Sequence, residues 1–232
     1  MNLFYIPDLA ADEVTLPEEE AHHAFSVLRL SAGSKIGLLD GRGQRAQGTI
    51  VEASKRGVRV HLDGRETTQA ERKAQIHLAV APTKQMDRYE WFVEKAVEIG
   101  VDRITPLITE RTERSKLRID RLQRVAVSAM KQSQRVWLPR IDGSTTTNQL
   151  LAAELPQQRF FGWCDGDHAS LMKEYDPTRD TVLLIGPEGD FTGDEATVLL
   201  SAGFHAVSLG NARLRTETAA LAACTWMSFA QQ

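Results

Sequence analysis

A change of rhythm near residue 75 constrains this chain more than any other feature. Before it, short apolar runs follow one another closely, separated by turn residues. After it, apolar runs alternate with stretches of helical periodicity. Strands that alternate with helices form a parallel sheet covered on both faces. Closely spaced short strands with one early helix describe a small β-barrel instead. Two such architectures in 232 residues imply two modest domains, each able to bury its own core.

The first domain is expected over residues 1–70. A short strand is expected at 3–6. Thr15 and Glu18 fit a capping box opening a helix, with Ala21, Ala24, Phe25 and Leu28 on its apolar face. Strands are expected at 35–40, 45–52 and 58–62, divided by Asp40-Gly41-Arg42-Gly43 and Ser54-Lys55-Arg56-Gly57. The polar stretch 63–73 reads as a linker. The second domain, residues 74–232, has expected strands at 76–81, 103–108, 160–163, 181–185 and 205–209. Its expected helices are 86–99, stopped by Gly100, then 118–135, one opened by a Thr192/Glu195 capping box, and 216–230.

No apolar run approaches the ~18 residues of a membrane span. The opening residues lack the basic and long apolar segments of a signal peptide. Cys164 and Cys224 stand 60 apart with no CxxC, which excludes a disulfide scaffold and a cysteine-rich zinc module. A soluble cytoplasmic protein is expected. Its net charge of −3 hides a segregation of sign. Residues 29–65 hold 8 Lys and Arg against 3 Asp and Glu, and residues 103–140 hold 10 against 3. Residues 150–208 hold 3 against 10. Such segregation fits a basic face for a polyanion, or simply solvated helices and hairpins.

Open parallel sheets bind ligands at the carboxyl ends of their strands. Two loops with unusual chemistry lie there. Gly186-Pro187-Glu188-Gly189-Asp190-Phe191 follows the strand ending at Ile185. It lacks the spacing of a phosphate loop, and its carboxylates suit a neutral or cationic ligand. A tight turn with Glu188 in solvent is the purely structural alternative. The second loop runs from Leu209 and Gly210 through Arg213, Leu214, Arg215, Thr216, Glu217, Thr218 and Ala219. Thr216 is placed to cap the last helix, and its neighbours to bind a ligand or form ion pairs.

Together these loops, Leu-Ile-Gly-Pro-Glu-Gly (184–189) and Leu-Gly (209–210) with Leu-Arg-Thr-Glu-Thr-Ala (214–219), resemble the signature of the RsmE family. Val-Leu-Arg (27–29), Glu-Lys-Ala-Val-Glu-Ile-Gly (94–100), Ile-Thr-Pro-Leu (104–107), Glu-Arg-Thr (110–112) and Gln-Ser (132–133) extend the likeness over nearly the whole chain. Two departures stand out: Gly189-Asp190 where many members have two glycines, and Ala212-Arg213 where some place arginine one position earlier.

The resemblance implies an α/β protein: a PUA-like RNA-binding β-barrel, then a SPOUT domain with a parallel sheet and a deep trefoil knot. It implies S-adenosylmethionine-dependent methylation of N3 of a uridine in small-subunit (16S) ribosomal RNA, on free RNA or the assembled 30S subunit, by a homodimer with no metal and no membrane partner. The expected cofactor residues are Ala81, Pro82, Thr83, Ile185, Gly186, Pro187, Glu188, Gly189, Leu209, Gly210, Leu214, Arg215, Thr216, Thr218 and Ala219. Phosphates are expected on Arg29, Arg42, Arg45, Lys55 and Arg56, and on Arg114, Lys116, Arg118, Arg121 and Arg124.

Arg215 and Glu217 lie two apart. In an extended loop they would point the same way, Arg215 stabilising charge on a uracil carbonyl and Glu217 assisting loss of the N3 proton. An ion pair that only shapes the loop is the alternative. Another RNA target, or a noncatalytic role in ribosome assembly, are the alternative functions. Among the remaining residues, one of His22 and His23 is expected to pack and one to be solvated. Asp165, Asp167 and His168 read as an acidic loop in preference to a metal site, Cys164 and Cys224 as small buried residues, and Trp91 as core in preference to a base-stacking surface. Trp137 fits either core or base stacking, and no motif makes Ser133 a nucleophile.

Overall fold

The computed structural model describes residues 1–69 and 72–232; Ala70 and Glu71, within the expected linker, lie outside the described residues. The chain divides into two compact units. The first combines Met1–Glu71 with Val127–Leu138, and the second combines Arg72–Ala126 with Pro139–Gln232.

The first unit holds a five-stranded sheet of β1 (Leu3–Tyr5), β2 (Glu13–Thr15), β3 (Lys35–Leu39), β4 (Gln44–Ser54) and β5 (Gly57–Thr67), in the order β1-β3-β4-β5-β2. β4 and β5 form a long hairpin that turns at Lys55 and Arg56. β5 runs on to Thr67, so half of the expected linker is strand. Arg65 there donates to the carbonyls of Leu9 and Ala11 at 2.7 and 2.6 Å, which holds the edge. The Thr15 capping box does not form. Thr15 belongs to β2, and α1 (Glu18–His22) has Pro17 at its N-cap with no side-chain bond. A π-helical turn, His23–Val27, continues α1. This wider turn rotates the apolar face. Ala24 is buried and Phe25 packs against the core, while Leu28 is left exposed. His22 is exposed, and His23 lies half-buried against Phe4.

Residues 127–138 complete this unit through backbone bonds to the β3–β4 turn. Gly43 N–H donates to the Val136 carbonyl and Leu138 N–H to the Gly41 carbonyl, each at 2.9 Å. Trp137 covers Gly43 so closely that a Cβ there would lie 2.4 Å from the indole.

The second unit is built on parallel strands: β6 (Ile76–Val80), β7 (Arg103–Ile108), β8 (Arg140–Ile141), β9 (Thr145–Thr146), β10 (Gln158–Gly162), β11 (Thr181–Ile185) and β12 (His205–Val207). Their order is β12-β10-β11-β6-β7-β8, with β9 also on β7. Every residue of β6 and β11 is buried, as strands covered on both faces must be. α2 (Met86–Ile99) ends at Gly100, whose φ of 108° is the left-handed cap. α3 (Ile119–Gln132) is shorter at both ends than expected. α4 (Thr147–Leu151) and α5 (Leu171–Glu174) are too short to announce themselves by periodicity. α6 (Gly193–Ser201) carries the expected capping box, with Thr192 and Glu195 bonded reciprocally at 3.2 and 3.0 Å. α7 (Thr216–Phe229) packs on α2.

Two expectations about burial fail in this unit. Trp91 is 47% exposed, because the inward position on α2 belongs to Phe92. Cys164 is exposed in a loop, while Cys224 is buried in α7 as expected.

Gly43 has a φ of +94° beneath Trp137. Gly43→Ala is expected to cost more than about 1 kcal/mol from the left-handed backbone alone, and more from the clash. Urea unfolding followed by tryptophan fluorescence measures this; an unchanged midpoint would show that the 127–138 segment yields freely.

Candidate active site

The register of the parallel strands makes the site. Gly162 pairs with both Ile185 and Val207, and Ile185 pairs with Val80. Four strands therefore end at one level, and their loops emerge side by side. Three of these loops, residues 163–168, 186–191 and 208–215, enclose a cleft of about 910 Å³. That volume suits a small-molecule ligand.

The loops are fastened to one another. The buried hydroxyl of Thr216 donates to the Gly186 carbonyl at 3.1 Å, joining α7 to the β11 loop. Gly186 itself has no spare room, since a Cβ would lie 3.2 Å from the Phe191 ring and amide. Glu188 accepts the Lys84 amide at 3.1 Å, so its carboxylate is tied to the chain beyond β6. Arg111 donates to the Gly189 carbonyl at 2.6 Å and lays its methylenes over that glycine.

Asp190 makes the link between the β10 and β11 loops. One carboxylate oxygen accepts the Cys164 amide at 3.0 Å and the other the Phe191 amide at 2.8 Å. Its φ of +62° explains why glycine fits this position well and why aspartate is among the few side chains that tolerate it. Burial, and then the Asp190 charge, push the Cys164 thiol above its usual range. The thiol therefore stays protonated near neutrality and is a poor nucleophile.

Of the expected cofactor residues, Ile185, Gly186, Pro187, Glu188, Leu209, Gly210, Leu214, Arg215, Thr216 and Ala219 line this cleft. Gly189 lies just outside, engaged by Arg111. Ala81, Pro82 and Thr83 are buried behind the β11 loop, where the Ala81 amide donates to the Ile185 carbonyl at 2.9 Å. The Tyr89 hydroxyl supports the same place by donating to the Val80 carbonyl at 3.2 Å. Its burial raises its pKa and keeps it a donor.

Thr218 and Glu217 face elsewhere. The helix starts at Thr216, with Arg215 at its N-cap, so the extended loop expected to align Arg215 with Glu217 does not exist. Thr216 is likewise a helical residue rather than the cap. A second cleft of about 700 Å³ opens beyond the loop, and Arg213, Leu214 and Arg215 line both. Glu217 and Thr218 line only the second, with Asp87, Arg88 and Trp91 of α2. Glu217 is 7% exposed and lies 3.9 Å from Arg88.

The 163–168 loop, Arg111 and Arg88 were missed as site residues, and Trp91, assigned to the core in preference to base stacking, lines the second cleft. The strand-end rule would have found the 163–168 loop, because it follows β10 as the other two follow β11 and β12. Within it, His168 stacks on Trp163 with ring centres 5.3 Å apart, and its Nε2 meets the Asp165 carbonyl at 2.6 Å. Among the described residues no group of three His, Cys, Asp or Glu is placed to hold a metal.

The expected phosphate ligands differ in availability. Arg29, Arg42, Lys55 and Arg56 are exposed and Arg45 is half-buried in the first unit. Arg114 and Lys116 are also exposed. Arg118 and Arg124 pair with Asp120 at 3.0 and 3.1 Å, and Arg121 with Glu90 at 2.6 Å. Much of the second basic stretch therefore already has local partners.

The first cleft fits the cofactor that the resemblance implies. Ile185, Leu209, Leu214 and Ala219 offer an apolar bed for an adenine, the glycines leave backbone groups open, and Glu188 and Asp190 supply negative charge for a sulfonium. Arg213 and Arg215 are the cations available to a carboxylate.

Asp190 variants test the loop linkage. Asp190→Ala is expected to cost about 1–3 kcal/mol, from an unpaired amide and a strained backbone. Asp190→Gly loses only the bonds and should cost less. In both, amide exchange at Cys164 should accelerate. Equal stability of the two variants, with Cys164 exchange unchanged, would refute the link.

The comparisons cover both units. An RNA methyltransferase domain model matches residues 70–228, and an RNA methyltransferase PUA domain model matches residues 16–63. A probable rRNA-methyltransferase from Porphyromonas gingivalis superposes with a TM-score of 0.90 at 40% identity, covering 100% of this chain and 98% of that one. Ribosomal RNA small subunit methyltransferase E from Neisseria gonorrhoeae, bound to S-adenosyl methionine, superposes at 0.89 with 30% identity over 99% of this chain and 98% of its own. The Mycobacterium bovis protein of the same name is 30% identical over 95% of this chain and 88% of its own length. The chain belongs to the ribosomal RNA small subunit methyltransferase E family.

Proposed function

We propose that this protein methylates N3 of one uridine in small-subunit (16S) ribosomal RNA, with S-adenosylmethionine in the cleft formed by the β10, β11 and β12 loops. The observation that carries the reading is the pair of adjoining clefts. One suits the cofactor, the other is open to solvent, and Arg213, Leu214 and Arg215 form their shared wall. A relative of 30% identity holds S-adenosyl methionine. In this reading residues 74–232 form a SPOUT domain whose Gly186–Gly189 and Leu209–Ala219 loops belong to a trefoil knot, and residues 1–70 form a PUA-like barrel.

Bound S-adenosylmethionine would supply a methyl group made electrophilic by its sulfonium. The protein has to position the base and handle one proton. N3 loses its proton and its electron pair forms the new bond to the methyl carbon, while the sulfur keeps the pair of the broken bond. Arg215, at the border of the two clefts, would stabilise the negative charge that deprotonation places on a uracil carbonyl. Glu217, which lines the second cleft with Asp87, is the carboxylate this reading assigns to accept the proton. N3 lies on the pairing edge, so the target uridine must be unpaired or flipped out. Arg29, Arg42, Arg45, Lys55 and Arg56, with Arg114 and Lys116, would hold the RNA backbone. Arg118, Arg121 and Arg124 would join them by exchanging their local carboxylates for phosphates.

The protein is read as a cytoplasmic homodimer that joins through the exposed side of α7, where Trp226 and Phe229 are 48% and 63% exposed. Among the described residues no helix is long and apolar enough to cross a membrane.

Mass analysis of small-subunit RNA from cells with and without the gene tests the reading. One N3-methyluridine should disappear on deletion and return with the wild-type gene. A different modified nucleoside would reassign the target, and no change would refute the activity. Gly186→Val should abolish most S-adenosylmethionine binding in calorimetry, since Phe191 blocks the added side chain. In single-turnover transfer at saturating cofactor, Arg215→Ala and Glu217→Gln should lose at least about 100-fold in rate with cofactor affinity kept. If both merely weaken cofactor binding, they belong to the cofactor site alone. Light scattering of active enzyme at micromolar concentration should give twice the chain mass; a monomer would exclude the dimer.

A further inference from the structure

We propose that the second cleft is the acceptor-base pocket, with Trp91 as its stacking platform and the Arg88, Glu217 and Arg215 side chains as its reader of uracil. This proposal rests on the methyl-transfer reading and deepens it. Trp91 stands out on α2. Tyr89, Phe92 and Val93 beside it are wholly buried, whereas the indole is 47% exposed and lines an open cleft. A large aromatic face left open among charged neighbours is the usual platform for an unpaired base.

The charged neighbours carry the specificity. The pairing edge of uracil presents an acceptor, a donor and an acceptor: O2, N3–H and O4. The cleft is lined by groups of the complementary kinds. Arg88 and Arg215 are donors only, and the Glu217 carboxylate supplies an acceptor. Arg88 and Glu217 lie 3.9 Å apart, beyond ordinary hydrogen-bond distance, so both keep capacity for a ligand between or beside them. Cytosine would set its unprotonated N3 against the Glu217 carboxylate and its amino group against a guanidinium, two repulsive contacts. The position also suits transfer. Leu214 and Arg215 line both clefts, so a base on Trp91 sits one wall away from the ligand in the first.

The test compares wild-type protein with Trp91→Ala, Trp91→Phe and Arg88→Gln. The readouts are S-adenosylmethionine affinity by calorimetry and single-turnover methyl transfer across a range of 30S subunit concentrations. Trp91→Ala should raise the half-saturating subunit concentration about tenfold or more with cofactor affinity unchanged, and Trp91→Phe should recover most of that loss. Arg88→Gln should slow transfer with cofactor affinity unchanged. Trp91→Ala transfer indistinguishable from wild type would overturn the proposal while leaving the activity standing.

A turnover-free arm separates failure of the pocket from failure of the methyl-transfer reading. Oligouridylate should quench the fluorescence of wild-type protein more than oligocytidylate does, and the difference should vanish in Trp91→Phe. If the wild-type protein transfers no methyl group, this quenching still decides whether the cleft takes uracil. Equal quenching of wild-type protein by the two oligomers, or a difference between them that persists in Trp91→Phe, would overturn the pocket.

Discussion

The hydrogen bond from Thr216 to the Gly186 carbonyl holds the second unit's chemistry in one place. It is buried, and it connects residues 30 apart in sequence. Breaking it would leave a buried carbonyl without that partner, a loss of about 1–3 kcal/mol. Its formation has two requirements. Thr216 must be the first residue of α7, which puts Arg215 at the N-cap with its side chain free over the clefts. Residue 186 must be a glycine, because Phe191 closes the space a side chain would need. The cofactor-side loop, the last helix and the candidate catalytic arginine are thereby set by one contact.

The acidic stretch of the sequence takes on a specific meaning in this light. Glu188, Asp190 and Glu195 each accept a backbone amide from a different segment: Lys84, Cys164 and Glu110. Carboxylates that look like solvated charge in the sequence are clasps between loops, and Glu188 and Asp190 leave negative charge along the first cleft. The basic stretches are divided. Arg121 is held by Glu90 and Lys131 by Glu20, whereas Arg29, Arg42, Lys55 and Arg56 reach solvent. Segregated charge in this chain thus serves internal fastening as well as attraction of a polyanion.

How much was legible in the sequence followed from how local each signal is. β6 and β11 stood out because strands buried on both faces are nearly continuous apolar runs, broken here only by His77 and Thr181. The Thr192 box and the Gly100 stop were legible because caps are encoded within four residues. The 186–191 and 208–215 loops showed themselves by glycine and charge at strand ends. The 163–168 loop carries the same positional signal, but its acidic composition masked it. Nothing local marks residues 127–138 as partners of the β3–β4 turn; that choice is made by Trp137 covering Gly43. Trp91 and Phe92 are adjacent aromatics on one helix, and only packing decides which turns inward. The Thr15 box lost to strand pairing with β5, a long-range contact that outweighs a local cap.

The central claim is that three strand-end loops form a single cofactor cleft. Amide hydrogen exchange of the wild-type protein, with and without saturating S-adenosylmethionine, tests it most directly. Protection is expected together in residues 163–168, 186–191 and 208–215, while the β4–β5 hairpin of the first unit stays unchanged. Protection confined to the hairpin, or absent from any one of the three loops, would contradict it.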